Sequence, residues 1–270
     1  MNDQEHLQRG RRTSRKIQNA VGLYTEGIRD GNVREAVTKY TGDRYTQHST
    51  GVRDGVEGFI EFFEPFIIRN PIRDIQIVRT LEDGQHLFVH AYQSLNNGEA
   101  KWVTFDFFDT DDDDRIVEHW DVIAEYSPET PSGHTSVDGP TEVTNIDATG
   151  ANKALVRAFV ENVLMDGSNP ANIDRYVSRD QYTQHNKDVA DGLEHFKMLA
   201  VAEDRPLVYD EIVLLAGQGN FVATLCRARS EDTPYAQADL FRIEDGLIVE
   251  HWDAAEPIGP ETEWVNSGKF

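Results

Sequence analysis

The 270-residue chain repeats itself, and this repetition limits the fold more than any single motif does. The sequence Tyr-Thr-Gln-His at 45–48 returns at 182–185, and an Asp-Gly pair follows each copy after the same interval. The sequence Ile-Val-Glu-His-Trp-Asp at 116–121 returns at 248–253. Because chance does not produce three ordered matches, the sequence predicts two homologous domains.

The region between the two copies sets the predicted domain boundaries. Residues 127–150 are rich in Pro, Gly, Ser and Thr, a composition typical of a linker. We therefore expect a tail at 1–16, a first domain at 17–126 and a second domain at 151–270. Hydrophobic residues make up 39% of the chain, which is enough for each domain to bury a core.

Each copy opens with apolar residues at helical spacing. They are Ile17, Val21, Tyr24 and Ile28 in the first copy, and Leu155, Phe159 and Val163 in the second. Asp-Gly pairs at 30–31 and 166–167 predict the ends of these helices. A second helix is predicted around Val56, Phe59, Ile60 and Phe63, and we expect Pro65 to end or kink it.

The rest of each copy alternates with period two, as strands do. In the first copy the predicted strands are 75–78, 87–95, 102–108 and 116–123. Helices followed by a run of strands predict an α+β domain.

The predicted strand 102–108 has two faces of different character. One face carries Val103, Phe105 and Phe107, and the matching face of the second copy carries Ala236, Ala238 and Leu240. The opposite faces carry Trp102, Thr104 and Asp106, and Tyr235, Gln237 and Asp239. We expect the apolar faces to join the two repeats as an intramolecular pseudo-dimer, and the mixed faces to line pockets.

Charge and composition exclude several classes of function. The 48 acidic residues exceed the 26 basic ones, so the formal charge is −22 and binding to nucleic acid or an anionic membrane is not expected. The first residues contain no apolar signal-like stretch, and the single Cys226 cannot form an internal disulfide. We therefore expect a cytoplasmic protein whose partner is a small molecule, with further homo-oligomerisation left open.

The order of motifs is similar to that of a known family. Tyr-x-Gln-His, Asp-Gly-x-x-x-Phe, Asp-x-Phe-Arg and Ile-Val-Glu-His-Trp-Asp together resemble the SnoaL-like polyketide cyclases, which share the fold of nuclear transport factor two. The resemblance occurs once per repeat and covers nearly the whole chain. It implies two tandem cone-shaped domains, each with helices packed on a curved antiparallel sheet around a pocket.

The resemblance also implies roles for three pairs of side chains. Asp121 and Asp253 resemble the acid–base aspartates of the aldol cyclases. Asp106 and Asp239 resemble the carboxyl group that donates to an oxyanion in ketosteroid isomerases. The third pair, His48 and His185, stands where the isomerases have their base and where epoxide hydrolases hold a water.

The residues themselves support an acid–base site on the last strand. Alternation places His119 and Asp121 on one face, and we expect this face to point into the pocket, as His251 and Asp253 would in the second copy. Burial would raise the pKa of such an aspartate toward neutrality, so that it could take and return a proton. The alternative is that these groups only bond to each other and to the backbone.

Other candidates for the pocket wall or binding surface are recognised by position. We expect Trp120, Trp252, Trp102, Tyr235, Thr104, Gln237, Tyr45 and Tyr182 to contribute. Trp120 and Trp252 suit a core position equally well. His48 and His185 would act as pocket bases or relays, or would cap the following helix.

These residues predict a cofactor-independent acid–base enzyme that acts on a small carbonyl compound, by aldol-type cyclisation or related enolisation. No nucleotide-binding or metalloprotease motif is present, so no cofactor and no metal are expected, although His48, His119 and a carboxylate leave a zinc or iron site as an alternative. A non-catalytic carrier of an apolar metabolite, and hydrolase or dehydratase chemistry in the same pocket, remain open, as does the loss of activity in one repeat.

Overall fold

The structure is a computed structural model that describes residues 13–165, 170–200 and 205–270. The first half of the chain contains, in order, α1 (Arg15–Gly22) continued by a π-helical stretch (Leu23–Arg29), α2 (Val33–Tyr40), β1 (Thr41–Gln47), α3 (Gly55–Arg69), β2 (Arg73–Asp83), β3 (His86–Leu95), β4 (Ala100–Thr110) and β5 (Ile116–Glu125). A segment without helix or strand then leads to the second half.

The second half contains a similar series of elements. They are a 3₁₀ turn (Ile146–Ala148), α4 (Thr149–Phe159) continued by a π-helical stretch (Val160–Met165), a 3₁₀ turn (Pro170–Arg175), β6 (Thr183–Gln184), α5 (Leu193–Ala200), β7 (Val208–Gln218), β8 (Phe221–Ser230), β9 (Thr233–Glu244), β10 (Leu247–Pro257) and a 3₁₀ turn (Glu261–Glu263). Helices and strands together make the fold α+β, as predicted.

The first helix is capped at its start and ends where the sequence predicts. The hydroxyl of Ser14 accepts a hydrogen bond from the backbone of Ile17 at 3.2 Å and caps α1. The helical stretch ends at Arg29, and Gly31 takes up a φ of +85°, a conformation that glycine adopts without steric cost. The corresponding pair predicted at 166–167 lies outside the described residues.

Helix α3 does not end at Pro65, which was one of the two predicted effects of this residue. The helix continues past Pro65 to Arg69 and is neither ended nor divided there. Proline removes one backbone hydrogen bond, to the carbonyl of Glu61 one turn earlier, and Glu61 is exposed to water that can replace the bond. No helix in the described parts of the chain is long and apolar enough to span a membrane.

Each half contains a five-stranded sheet, and the two sheets have the same strand order. The orders are β1-β5-β4-β3-β2 and β6-β10-β9-β8-β7, with the first two strands of each sheet parallel and the others antiparallel. The last strand of each half therefore lies inside its sheet, next to the short edge strand. In this register Asp106 pairs directly with Asp121, and Asp239 pairs with Asp253.

The two sheets meet face to face through a shared apolar core. This core contains the alternating residues of β4 and β9 that were predicted to join the repeats: Val103, Phe105, Phe107, Ala236, Ala238 and Leu240. Two further cores lie between each sheet and its own helices. The polar residues of β4 and β9 therefore point away from the shared core and toward the helices.

The segment that follows the last strand of each half contacts the other half. The carbonyl oxygen of Thr135, after β5, lies 2.8 Å from Nδ1 of His185 in the second half. The carbonyl oxygen of Gly268, after β10, lies 2.8 Å from Nδ1 of His48 in the first half. A carbonyl only accepts hydrogen bonds, so both histidines donate from Nδ1. The segment after the last strand of each half is therefore bonded to the other half.

Candidate active site

The first half encloses a cavity of about 330 Å³ between its helices and the inner face of its sheet. Most of its wall is aliphatic or aromatic, formed by Leu23, Ile28, Val52, Phe59, Phe62, Phe63, Phe66, Leu95, Trp102, Phe108 and Ile123. Seven residues add polar atoms: Tyr24, Tyr45, Gln47, Ser49, Gln93, His119 and Asp121. A mostly apolar cavity with few polar groups is typical of a small-molecule site.

The inner face of β5 carries the pair that was predicted to look into the pocket. His119 and Asp121 are two residues apart on one strand, and both line the cavity. Tyr45 from β1 and Trp102 from β4, also predicted, lie on the same cavity wall. The sheet thus brings four of the predicted residues together in the first half.

Asp106 lies behind His119 and does not line the cavity. Its carboxylate binds three side chains: the hydroxyl of Tyr24, the hydroxyl of Thr104 at 2.7 Å and Nε2 of His119 at 2.9 Å. The side chains of Asp106 and Thr104 are almost completely buried. Contrary to the prediction, Asp106 and Thr104 do not lie on the cavity wall, because their side chains bond to each other behind His119.

His119 is held in place from both sides. Its Nδ1 lies 3.0 Å from Oε1 of Gln47, its Nε2 contacts Asp106, and its ring stacks on Phe108 with 4.6 Å between ring centres. The amide of Gln47 in turn donates to the hydroxyl of Tyr45 at 2.8 Å. Both ring nitrogens therefore have polar partners, which fix the orientation of the ring.

His251 repeats this arrangement in the second half. Nδ1 lies 3.0 Å from Oε1 of Gln184, and Nε2 lies 2.9 Å from Asp239. Gln184 donates to the hydroxyl of Tyr182 at 2.9 Å. Burial lowers the pKa of His251, but the hydrogen bond to Asp239 and the charges of Asp253 and Asp239 outweigh this effect, so the pKa is raised overall.

Asp239 has the same kind of partners as Asp106, and its tyrosine comes from a different element. The hydroxyl of Tyr209, on β7, donates to Asp239 at 2.9 Å, whereas Tyr24 belongs to the first helix. Gln237 donates to Asp239 at 3.0 Å. The side chains of Asp239 and Gln237 are buried. Tyr235, in the position that matches Trp102, is partly exposed and pairs with Pro257 on β10.

The two candidate bases, Asp121 and Asp253, have different surroundings. Nζ of Lys269 lies 2.9 Å from Oδ1 of Asp121. Burial raises the pKa of Asp121, but the positive charges of Lys269 and His119 outweigh burial and lower the pKa below its ordinary value. Asp121 is therefore an ionised carboxylate at neutral pH, and not the desolvated acid that the sequence suggested.

Asp253 is held by amide groups. Nδ2 of Asn186 lies 2.9 Å from Oδ1 and 2.7 Å from Oδ2, and Nε2 of Gln237 lies 3.2 Å from Oδ2. Burial raises its pKa; the charge of His251 lowers it, the charge of Asp239 raises it, and the net shift is upward. Asp253 thus shows the raised pKa that was expected at both sites.

His48 and His185 lie on the opposite face of their sheets, so their predicted place in the pockets is wrong. Tyr45 and Gln47 point inward, and alternation turns His48 outward. Nε2 of His48 lies 2.9 Å from Glu118, and Nε2 of His185 lies 2.9 Å from Glu250.

The two histidines stack on tryptophans of the last strands. The ring centres are 4.7 Å apart for His48 and Trp120, and 4.5 Å apart for His185 and Trp252. Both tryptophans belong to the core shared by the two sheets, which corrects their assignment to the pockets. Because His48 and His119 lie on opposite faces, they do not form a joint metal site.

Two groups of side chains in the described parts of the chain could hold a metal ion. One consists of Asp239, His251 and Asp253; the other consists of His134, Asp138 and His185, and in each group the ligand atoms lie within 4.8 Å of one another. In the first group, amide donors from Asn186 and Gln237 already bind Asp253.

Sequence reasoning missed Gln47, Gln184, Tyr24, Tyr209 and Lys269. Alternation with Tyr45 would have found Gln47, and the repeat would then have given Gln184. Tyr24 was assigned only to the apolar stripe of a helix, since a tyrosine on such a stripe gives no sign of its hydroxyl's partner. Neither Tyr209 nor Lys269 belongs to a repeated motif.

No protein-family model matches the sequence, and no curated protein is significantly similar to it. Similar solved structures include a protein provisionally named polyketide cyclase from Bacillus cereus, with 16% identity and a TM-score of 0.36 over 40% of this chain and 73% of that one. A provisionally named SnoaL-like polyketide cyclase from Jannaschia sp. has 17% identity and a TM-score of 0.35 over 42% and 91%. A provisionally named ketosteroid isomerase from Kribbella flavida has 13% identity and a TM-score of 0.37 over 42% and 84%. Similarity at this level carries no information about the reaction.

Proposed function

We propose that the chain is a tandem pair of SnoaL-like domains that acts as a cofactor-independent acid–base enzyme on a small carbonyl compound. The internal sequence repeat and the identical strand orders of the two sheets support the tandem arrangement. The cavity of the first half is the proposed reaction site. Its capacity of about 330 Å³ and its aromatic wall suit a compact, largely apolar substrate.

One observation carries the proposal: a carboxylate paired with a buried lysine lies on the wall of a mostly apolar cavity. Asp121 lines the cavity and is held by Lys269 at 2.9 Å. A carboxylate whose pKa is lowered is a weak base, so the substrate must present an acidic carbon, such as one next to a carbonyl group.

Tyr45 is the proposed donor to the substrate oxygen. Its hydroxyl accepts a hydrogen bond from Gln47 at 2.8 Å, which leaves its own hydrogen for a ligand in the cavity. Burial, with the charges of Asp121 and Asp106, raises the pKa of Tyr45, so it stays protonated and donates. One positioned donor to an oxyanion is worth about 2.7–4 kcal/mol of transition-state stabilisation.

The proposed reaction needs no reactant besides the substrate, because the proton that is removed is later returned. Asp121 takes a proton from the carbon next to the carbonyl, and the electron pair moves to the carbonyl oxygen, which Tyr45 stabilises as an enolate. The enolate carbon then attacks a second carbonyl of the same molecule, and Asp121 returns the proton to the new alkoxide. Acid–base assistance of this kind contributes roughly 10²–10⁴ in rate.

Exchange of carbon-bound hydrogen for deuterium tests the proposal without knowledge of the product. A panel of small 1,3-dicarbonyl compounds would be incubated with the protein in D₂O, and loss of the carbon-bound proton followed by NMR. We expect Asp121→Asn to slow exchange at least about 10²-fold. Asp113→Asn, an exposed control in a hairpin turn, should leave exchange unchanged.

Binding measured alongside separates the enzyme from its main rival, a carrier of an apolar metabolite. The ion pair with Lys269, which weakens Asp121 as a base, favours that second function. Trp102 lies on the cavity wall and reports ligand binding through its fluorescence. Binding without protein-dependent exchange for every compound in the panel would reject the enzyme and support the carrier.

A further inference from the structure

We propose that Lys269, carried by the segment after the last strand of the second half, is a positioning residue of the first-half site. It would hold the Asp121 carboxylate in place and keep it ionised, so that the site is completed by both halves of the chain. The catalytic meaning of this contact rests on the proposed function, whereas the contact itself does not.

The segment around Lys269 is fixed to the first half on the side that precedes the lysine. Nδ2 of Asn266 donates to the carbonyl oxygens of Ser49, at 2.7 Å, and Val52, at 2.9 Å. The next contact is the hydrogen bond from His48 to the carbonyl oxygen of Gly268, directly before Lys269. These bonds determine where the lysine side chain enters the protein.

On its other side the segment is fixed to the second half. The guanidinium of Arg227 lies 4.3 Å from the ring centre of Phe270, a cation–π contact. Lys269 therefore lies between two anchored neighbours, and only 3% of its surface is exposed. A buried lysine at this degree of burial is rarely found without a carboxylate partner.

Lys269 bridges one carboxylate from each half. Nζ lies 2.9 Å from Asp121 on β5 and 2.9 Å from Glu256 on β10. Glu256 also accepts a hydrogen bond from the backbone of Ile123 at 3.0 Å. Burial lowers the pKa of Lys269, but the two carboxylates outweigh burial and raise it, so the ammonium stays charged. The two carboxylates share this one cation.

The charged and titratable groups around Asp121 come from several elements. They are Lys269 from the trailing segment, Glu256 from β10, His119 from β5, Asp106 from β4, Tyr45 from β1 and Tyr24 from the first helix. The positive charges of Lys269 and His119 favour the ionised form of Asp121. The negative charges of Glu256 and Asp106 oppose it. Since His119 is already bound to Asp106, Lys269 is the cation in direct contact with Asp121.

Among the described residues of the second half, Asp253 is bound by amides and not by a cation. Thr135 binds His185 as Gly268 binds His48, so Ser136 takes the place of Lys269. The hydroxyl of Ser136 bonds to the backbone of Ser127, at 2.8 and 3.2 Å. The residue that corresponds to Lys269 is therefore short and neutral, and Asp253 and Asp121 have partners of different charge although their motifs match.

Titration of Asp121 by NMR of its carboxyl carbon tests the proposal on the full chain without any substrate. In Lys269→Met the pKa of Asp121 should rise by about 1–3 units, the usual effect of removing a close opposite charge. Lys39→Met removes an exposed lysine on α2 and should leave the Asp121 titration unchanged. Lys269→Arg should keep the pKa low, because it keeps the charge. An unchanged Asp121 pKa in Lys269→Met would overturn the proposal.

Two further variants keep the test decisive if Lys269→Met does not fold. The double variant Asp121→Asn with Lys269→Met removes both charges of this buried pair together and should restore folding, because the carboxylate that then loses its cation, Glu256, is partly exposed to water. Glu256→Gln keeps the lysine and should lower the Asp121 pKa further, because Asp121 no longer shares the cation. If the double variant stays unfolded and Glu256→Gln does not lower the pKa, the proposed role is rejected.

The hydrogen-exchange assay then separates the two proposals. If Asp121 is the base, Lys269→Met should move the acid limb of the exchange rate to higher pH by the same shift that NMR records. A shifted Asp121 pKa without any protein-dependent exchange would leave the role of Lys269 intact and reject only the proposed function.

Discussion

Asp121 and Asp253 stand at matching positions on the last strands of the two sheets, β5 and β10, yet they have opposite environments. Asp121 contacts the ammonium of Lys269 at 2.9 Å, and Asp253 contacts the amide of Asn186 at 2.7 Å. An ammonium favours the charged carboxylate strongly, whereas an amide favours it only weakly. Two copies of one motif therefore hold carboxyl groups whose pKa values move in opposite directions.

This difference predicts opposite titration of the two groups. NMR of the carboxyl carbons should place the pKa of Asp121 below the ordinary value of 3.8 and the pKa of Asp253 above it. Asp253 then stabilises the fold most below pH 3.8, and this contribution is lost as the pH rises through its folded pKa. The contribution of Asp121 is present above pH 3.8 and is lost as the pH falls through its folded pKa. Equal pKa values would contradict the asymmetry.

The same difference predicts unequal costs of neutralising the two carboxylates at pH 7. Asp121→Asn removes one partner of a buried ammonium and should lower the free energy of unfolding by roughly 3 kcal/mol, the lower end for a broken buried pair because Glu256 remains. Asp253→Asn removes a charge that burial disfavours and should change it by less than about 1 kcal/mol. Urea unfolding of both variants checks this, and a larger loss for Asp253→Asn would be inconsistent with the structure.

Tyr24 and Tyr209 perform one task from different elements, which predicts similar effects of their removal. Each hydroxyl donates to the buried aspartate behind the histidine, Asp106 or Asp239. Tyr24→Phe and Tyr209→Phe keep the ring but leave each carboxylate with one donor fewer, so each should cost about 1–3 kcal/mol of unfolding free energy. Tyr92→Phe, on the partly exposed part of β3, is the control that should cost little. A cost in only one half would argue against equivalent networks.

Strand alternation predicted much of the site because its period is fixed by backbone geometry. The register placed His119 with Asp121, and Trp102 with Asp106, on the same faces that the structure shows. The prediction for His48 did not follow this rule. Alternation places His48 and Tyr45 on opposite faces, yet both were assigned to the pocket. The repeated motif drew attention to the histidine, although repetition marks structural roles as well as chemical ones.

The contacts of Lys269 and Tyr209 could not be predicted from local patterns. Lys269 meets Asp121 across 148 positions of sequence, and nothing in the residues around it signals the contact. The hydroxyl of Tyr209, on a strand, and that of Tyr24, on a helix, each donate to the buried aspartate of their half. Because the two tyrosines lie on different elements, comparison of the repeats does not reveal Tyr209. Both contacts depend on how the halves and elements pack together, which periodicity within one element does not encode.

The cavity itself predicts a steric effect that is independent of the chemistry. Ile123 lies on the cavity wall two residues after Asp121 and is 37% exposed, which places it toward the opening. Ile123→Trp fits a strand, whose propensity favours aromatic residues, and should fill part of the cavity without a large loss of stability. Affinity for an apolar ligand such as naphthalene, followed through Trp102, should fall at least about tenfold, or about 1.4 kcal/mol. Ile68→Trp, at a residue of α3 that is 80% exposed and outside the cavity wall, is the matched control. Equal affinity in both variants, with the fold intact, would show that ligands do not enter this cavity.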